Sequence, residues 1–265
     1  MASALTWYGV GLTDVGRKRA SNQDAMVILN PLGVWGIADG MGGLPGGDVA
    51  SELAIGTATE FLRERLGDAS PAVFDNDGIE AEALLHDAIK LSNQAVRKEA
   101  HRDPKLFGMG TTIVLLCLVP GAKTVASIAH VGDSRAYLLH DGTLTRLTRD
   151  HSAVEEYIRR GLITAEQAIN HPHKHILSRA IGVSDRVDPD LVTRALEPHD
   201  LILLCTDGLT KMIKDDELQQ ILIKTGPKPE TICRRLVDEA NERGGDDNVT
   251  VVVVKAAEQK LAARP

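Results

Sequence analysis

Apolar residues along the chain fall into two rhythms. Short runs at Trp7–Leu12, Ala25–Leu29 and Val34–Ala38, bounded by turn residues, predict strands. From Asp48 to Leu66 the period lengthens. Ala50, Ala54, Thr57 and Phe61 fall on one face of a predicted helix that Asp48 is positioned to cap. A second helix, from about Ile79 to Ala100, carries Leu84, Ala88, Leu91 and Ala95 at helical spacing. Strands return at Thr111–Val119, Thr124–Val131, Ala136–His140 and Thr143–Leu147, separated by Pro-Gly, Gly-Asp and Asp-Gly turn signals. Two more strands follow at Leu191–Leu196 and Leu201–Thr206. After them come helices near Asp215–Lys224 and Pro229–Arg243, and a final strand at Val249–Lys255.

Helices in pairs between antiparallel runs argue against a βαβ doubly wound sheet. The order predicts an α+β fold, a sandwich of two antiparallel sheets with helix pairs outside, in an α-β-β-α stack. Residues 152–178 break the pattern. They are polar, helix-prone and rich in histidine, and are expected to form an insertion over one edge of the sheets. Residues 1–256 are expected to form a single domain, and the polar residues 257–265 a flexible tail.

Composition narrows the class. The chain has 265 residues, 43% of them hydrophobic but only 3% aromatic, so the core must be mainly aliphatic. With 30 basic against 37 acidic residues the net charge is -7, and no basic stretch carries interleaved aromatics, which argues against a nucleic-acid partner. Cys117, Cys205 and Cys233 are odd in number and far apart, so they read as buried thiols in a reducing compartment. No signal-peptide pattern and no apolar run of about 20 residues is present, so a cytoplasmic protein with no membrane partner is expected.

Four aspartates share one local grammar, an apolar strand running into the carboxylate. They are Asp39 in V-W-G-I-A-D-G-M-G-G, Asp133 in H-V-G-D-S-R, Asp207 in L-L-C-T-D-G-L and Asp247 in G-G-D-D-N-V-T. Asp-Gly is also the commonest turn dipeptide, and Asp141-Gly142 and Asp77-Gly78 read as turns. Aspartates at the ends of buried strands gather on a rim, where they repel one another unless a cation intervenes. Oxygen-only ligands favour Mg²⁺ or Mn²⁺ over zinc or copper. Arg19 precedes Asp39 by one short strand and carries the planar fork that suits a phosphate. Gly42, Gly43, Gly46 and Gly47 lack the following lysine of a P-loop, and are expected to bring the Gly40 backbone against a metal. His171, His173 and His175 could bind a transition metal or simply contact solvent or substrate.

Taken in order, R-A-S-N-Q-D-A, A-D-G-M-G-G, M-G-T-T, H-V-G-D-S-R-A-Y-L, L-T-R-D-H-S, L-S-R-A-I-G, L-C-T-D-G-L-T and G-G-D-D-N-V-T resemble the metal-dependent (type 2C) serine/threonine protein phosphatases, in their bacterial branch. The resemblance spans roughly residues 5–255. It implies that Asp39 bridges two core metals, that the Gly40 carbonyl holds the second, and that Asp207 and Asp247 complete the first. It further implies that Asp133 and Asp207 hold a third, weaker ion. Arg19 would bind the substrate phosphate, Asp24 would lie beside the metal-bound waters, and Gln23 and Asn248 would support the ligands. Two positions depart from the wider family: Met41 stands where a histidine acid often does, and Gln23 where glutamate is frequent.

The mechanism so implied is attack on phosphorus by a water activated between the cations, with Arg19 and the metals stabilising phosphoryl charge. With Met41 unable to carry a proton, the leaving oxygen would take one from a metal-held water or a flap-side histidine, and His151 lies nearest. The expected substrates are phosphorylated proteins, with a partner serine/threonine kinase, and the expected state is a monomer. Two rivals stand beside this reading, a phosphoprotein-binding module without turnover and a phosphodiesterase or nuclease.

Overall fold

A computed structural model describes residues 5–41, 46–67 and 79–258. The first sheet has the order β1 (Leu5–Asp14), β10 (Val249–Glu258), β9 (Leu201–Cys205), β6 (Arg135–His140) and β7 (Thr143–Arg146). The second runs β2 (Asp24–Leu29), β3 (Val34–Asp39), β4 (Ile113–Val119), β5 (Thr124–Val131) and β8 (Asp190–Leu196). Every pairing is antiparallel.

Both faces of each sheet are covered, which is why the central strands read as continuous apolar runs instead of alternating ones. In β10, Val252 and Val254 turn into the layer between the sheets, with Trp35, Ile37, Leu116, Ile128 and Leu204. Val251 and Val253 turn the other way, against α6 (Asp215–Lys224) and α7 (Pro229–Glu242), through Leu218, Leu222 and Leu236. On the far side, α1 (Gly47–Leu66) and α2 (Ile79–Arg102) cover the second sheet, with Ala54, Ala58, Leu62, Leu85 and Ile89 against Ile113 and Leu115. This is the four-layer α+β sandwich that the element order predicts. Cys117, Cys205 and Cys233 are free and buried.

Four local expectations need correction. Gly46, with φ +85°, enters α1, and no side chain caps it; Asp48 lies inside the first turn, where its charge favours the helix dipole. The buried stripe of α1 is Ala50, Ala54, Ala58 and Leu62, so Thr57 and Phe61 are only partly covered. In α2, Leu91 is exposed, and the buried line runs through Leu85, Ile89, Ser92 and Val96. β10 extends to Glu258, so residues 257 and 258 pair with Thr6 and Leu5 instead of fraying. Asp141 and Gly142 form the expected tight turn between β6 and β7, both at positive φ. Gly42, Gly43, Asp77-Gly78 and residues 259–265 lie outside the described residues.

Between β7 and β8, residues 152–178 contain α3 (Ala153–Arg159) and α4 (Ala165–Ile169), each opened by a capping hydroxyl from Ser152 and Thr164. The rings of His171 and His173 gather around Tyr157. Between β9 and α6 stands the four-residue helix α5 (Asp207–Thr210), which the apolar pattern did not predict. No helix of the described residues is long and apolar enough to cross a membrane.

Candidate active site

One rim of the sandwich collects the acidic residues because strands from both sheets end or begin there. Asp39 is the last residue of β3 and Asp24 the first of β2, and the two lie directly opposite in the register. Asp207 follows the end of β9 after one residue, and Asp247 precedes β10 by one. Asp133 lies in the turn between β5 and β6. The five aspartates named from the sequence are thus brought together across long separations.

Hydrogen bonds from both sheets fix the cluster. The hydroxyls of Thr206 and Thr250 donate to Asp24 Oδ2 at 2.9 and 2.7 Å, which ties a β2 residue to β9 and β10 across the sandwich. The Asp39 amide donates to Thr112 Oγ1 at 3.0 Å, and that hydroxyl pairs with Ser134 Oγ at 2.7 Å beside Asp133. Asn248 fastens the β1–β2 loop: its amide donates to the Val15 and Ser21 carbonyls, both at 2.9 Å, and its Oδ1 accepts from the Gln23 amide at 2.8 Å. The Gln23 carbonyl in turn accepts from Gly40 N at 3.0 Å.

Glycine is required at two of these joints. A Cβ on Gly40 would stand 2.1 Å from the Gly47 carbonyl oxygen, and one on Gly208 would stand 1.9 Å from that of Asn248. Both clashes are with backbone, so the segments carrying Asp39, Asp207 and Asp247 close up only around bare Cα atoms.

Electrostatics then point to a missing charge. Burial raises the Asp24 carboxyl to about 7 against its two hydroxyl donors, and Asp207 and Asp247 push it the same way. Burial and then Asp207 raise Asp133 to about 7. Asp39 is driven well above the ordinary carboxylate range, first by burial and then by Asp24, Asp207 and Asp133. Asp24 Oδ1 and Asp207 Oδ1 are buried and have no hydrogen-bond partner among the described residues. Orphaned acceptors and mutually repelling carboxylates on a rim of oxygen donors fit hard divalent cations.

Two basic side chains also reach this rim. Arg19 makes a forked contact to Asp247, Nε to Oδ1 at 2.9 Å and Nη2 to Oδ2 at 3.0 Å. Lys211 Nζ lies 2.6 Å from Asp207 Oδ2 and 3.1 Å from Asp247 Oδ2. Burial raises the Asp247 pKa, but Lys211 and Arg19 outweigh it and the net shift is downward. Lys211, Thr206, Thr250 and Thr112 were not identified from the sequence. For Lys211 the signal was available: it follows Asp207 by four residues, one helical turn on.

His151 is buried and engaged. Its Nδ1 accepts from the Gly132 amide at 3.2 Å, which puts the neutral ring's proton on Nε2, 3.3 Å from Asp190 Oδ2. The His130 ring stacks on it at 4.6 Å and bonds the Arg149 carbonyl through Nε2 at 2.8 Å. Donor atoms of His130, His151 and Asp190 lie within 4.8 Å of one another. His151 clamps the Gly132–Asp133 turn, its Nδ1 accepting from the Gly132 amide and its own amide donating to the Gly132 carbonyl at 2.9 Å, while His151 Nε2 and His130 Nδ1 are buried with no hydrogen-bond partner among the described residues.

Comparison with known proteins decides what the rim belongs to. Residues 15–242 match the family model described as protein phosphatase 2C. The chain is a member of the protein phosphatase 2C family. It is a metal-dependent serine/threonine protein phosphatase, a hydrolase acting on phosphoproteins. The serine/threonine phosphatase Stp of Listeria welshimeri is 39% identical over 248 residues, covering 92% of this phosphatase and 93% of the relative. The Mycobacterium tuberculosis serine/threonine phosphatase PstP/Ppp superposes with a TM-score of 0.81 at 32% identity, over 95% of this phosphatase and 99% of that chain. A structure of the PstP catalytic domain in complex with two manganese ions superposes with a TM-score of 0.79 at 32% identity, over 96% of this phosphatase and all of that chain.

Proposed function

We propose that Asp39, the Gly40 carbonyl, Asp207 and Asp247 hold two divalent cations, Mn²⁺ or Mg²⁺, and that Asp133 with Asp207 holds a third. The observation that carries this reading is the pair of orphaned buried oxygens, Asp24 Oδ1 and Asp207 Oδ1, among carboxylates that repel one another. When bound, the cations supply Lewis acidity, activating water and neutralising phosphoryl charge.

The chain's own groups do the rest. Asp39, whose carboxyl feels Asp24, Asp207 and Asp133 together, would be the ligand shared by the two core cations. Asp24 has one oxygen fixed by Thr206 and Thr250, which leaves the other to orient a water or take its proton. Arg19, whose fork grips Asp247 here, would turn that fork to the phosphoryl oxygens once a cation takes the carboxylate. Asn248 and the Gln23 backbone hold the loop that carries Arg19 and Asp24. Met41 carries no proton and His151 is turned inward, so the leaving oxygen takes its proton from water or from a histidine of residues 152–178. Those residues act as a flap on a single domain that takes in the whole of β10.

The substrates are proteins phosphorylated on serine or threonine by a partner kinase, and the enzyme works as a monomer in the cytoplasm. Reduced, buried cysteines and the acidic net charge support that setting. The test uses the full chain, stripped by chelator and supplied with Mn²⁺ or Mg²⁺, on p-nitrophenyl phosphate and a phosphothreonine peptide. Hydrolysis is expected only with metal, and Asp39→Ala is expected to abolish it while circular dichroism stays unchanged. No turnover at any metal concentration would favour the binding module; faster cleavage of bis-p-nitrophenyl phosphate than of the peptide would favour the diesterase.

A further inference from the structure

Lys211 is the residue of this rim whose presence the metal reading does not require. Its ammonium spans two carboxylates delivered by different elements, Asp207 at the start of α5 and Asp247 before β10. Asp207 and Lys211 belong to one helical turn, so the short tether keeps the ammonium near that carboxylate. At 2.6 and 3.1 Å it makes charge-assisted hydrogen bonds to Oδ2 of both aspartates. Asp247 Oδ2 also accepts from Arg19.

We infer that Lys211 is a tethered monovalent cation that competes with the divalent ions for Asp207 and Asp247, and thereby sets how tightly the metal centre is held. The inference rests on the proposed metal centre and adds to it a residue that lowers metal affinity. An oxygen that accepts a hydrogen bond from an ammonium offers one lone pair fewer to a cation. A positive charge left within a few ångströms of an incoming ion also repels it. For the ion to bind, the ammonium must swing away. Its side chain is 33% exposed, so a path to solvent is open. The competition makes the centre responsive to metal supply, because the cost of moving Lys211 is met only when the free ion is plentiful.

The experiment uses the chelator-stripped full chain, titrated with Mn²⁺ while free Mn²⁺ is read by electron paramagnetic resonance. Lys211→Met removes the charge and keeps the bulk, and is expected to lower the Mn²⁺ dissociation constant by about tenfold or more. Lys211→Gln is a second neutral variant with the same expectation, should the methionine form fold poorly. Lys211→Arg keeps the charge and is expected to bind like the wild type. A folded neutral variant with the wild-type constant would overturn the inference alone, as would equal tightening in Lys211→Arg. A wild-type chain that binds no Mn²⁺ would overturn the metal centre together with it.

Discussion

The hydroxyls of Thr112 and Ser134 share a hydrogen bond of 2.7 Å that ties the strand carrying Asp39 to the turn carrying Asp133. Both side chains are buried, so neither has water to fall back on. Thr112→Val removes this link and the acceptor for the Asp39 amide at nearly constant volume. Leaving two buried groups unsatisfied is expected to cost about 2–4 kcal/mol in urea unfolding. Mn²⁺ affinity is expected to fall as well. A variant as stable as the wild type would show that the hydroxyl pair does not hold the rim together.

Asp39→Asn separates stability from function. The Asp39 carboxyl titrates well above the ordinary range, so its contribution to stability is present at acidic pH and is lost as pH rises through the folded-state pKa. At pH 7.5 in chelator, the neutral amide is therefore expected to raise stability by about 1 kcal/mol or more, about 2–4 °C for a domain of this size. With Mn²⁺ present the order should reverse, since the variant lacks the shared ligand. Calorimetry with and without metal reads both halves.

Asp133→Ala is expected to act on the third ion only. Equilibrium dialysis should show two Mn²⁺ retained per chain in the variant and a higher metal concentration needed for full activity. Loss of all bound metal would mean that Asp133 belongs to the core pair.

Gly40→Ala tests the close approach of backbones. Its Cβ would press on the Gly47 and Gln23 carbonyls, at 2.1 and 2.7 Å, and these belong to α1 and to the loop before β2. Overpacking of this kind is expected to cost about 1–3 kcal/mol, and metal binding should weaken because Asp39 moves with the strand end. Unchanged calorimetric and Mn²⁺ titration curves would refute it.

His151 predicts an acid limit. Burial first, then the neighbouring His130 and Arg179, pull its pKa down to about 4, against an ordinary 6.5. The unfolded chain therefore takes up a proton that the folded one refuses. The associated stability is complete above about pH 6.5 and is lost as pH falls toward 4, by roughly 3 kcal/mol. His151→Gln should be less stable than the wild type at pH 7.5, and that gap should narrow by pH 4.5. A constant gap across the range would exclude the titration.

Much of this architecture is visible in the chain itself. Val249–Lys255 and Leu201–Thr206 read as strands because both their faces are buried, and the aspartates at their ends mark the rim. The helical stripes slipped because Thr57, Phe61 and Leu91 fit the helical period, yet the first two lie at the edge of the buried stripe and Leu91 outside it. What pattern could not reveal is pairing at a distance. Thr206 and Thr250 meet Asp24 from 182 and 226 residues away, and nothing local to either threonine announces that bond. Lys211 went unread because the one-turn helix that sets it beside Asp207 has no apolar period to announce it.

The antiparallel pairing of β1 with β10 sets a timetable for making this enzyme. Arg19 meets Asp247 across 228 residues, and Asn248 secures the loop in which Arg19 lies. A ribosome that has delivered the first 240 residues has made most of the core, but β1 still lacks its neighbour and Arg19 its partner Asp247. On the proposed role of Arg19, hydrolytic competence waits for β10, and a fragment interrupted before residue 247 lacks the carboxylate on which that arginine rests.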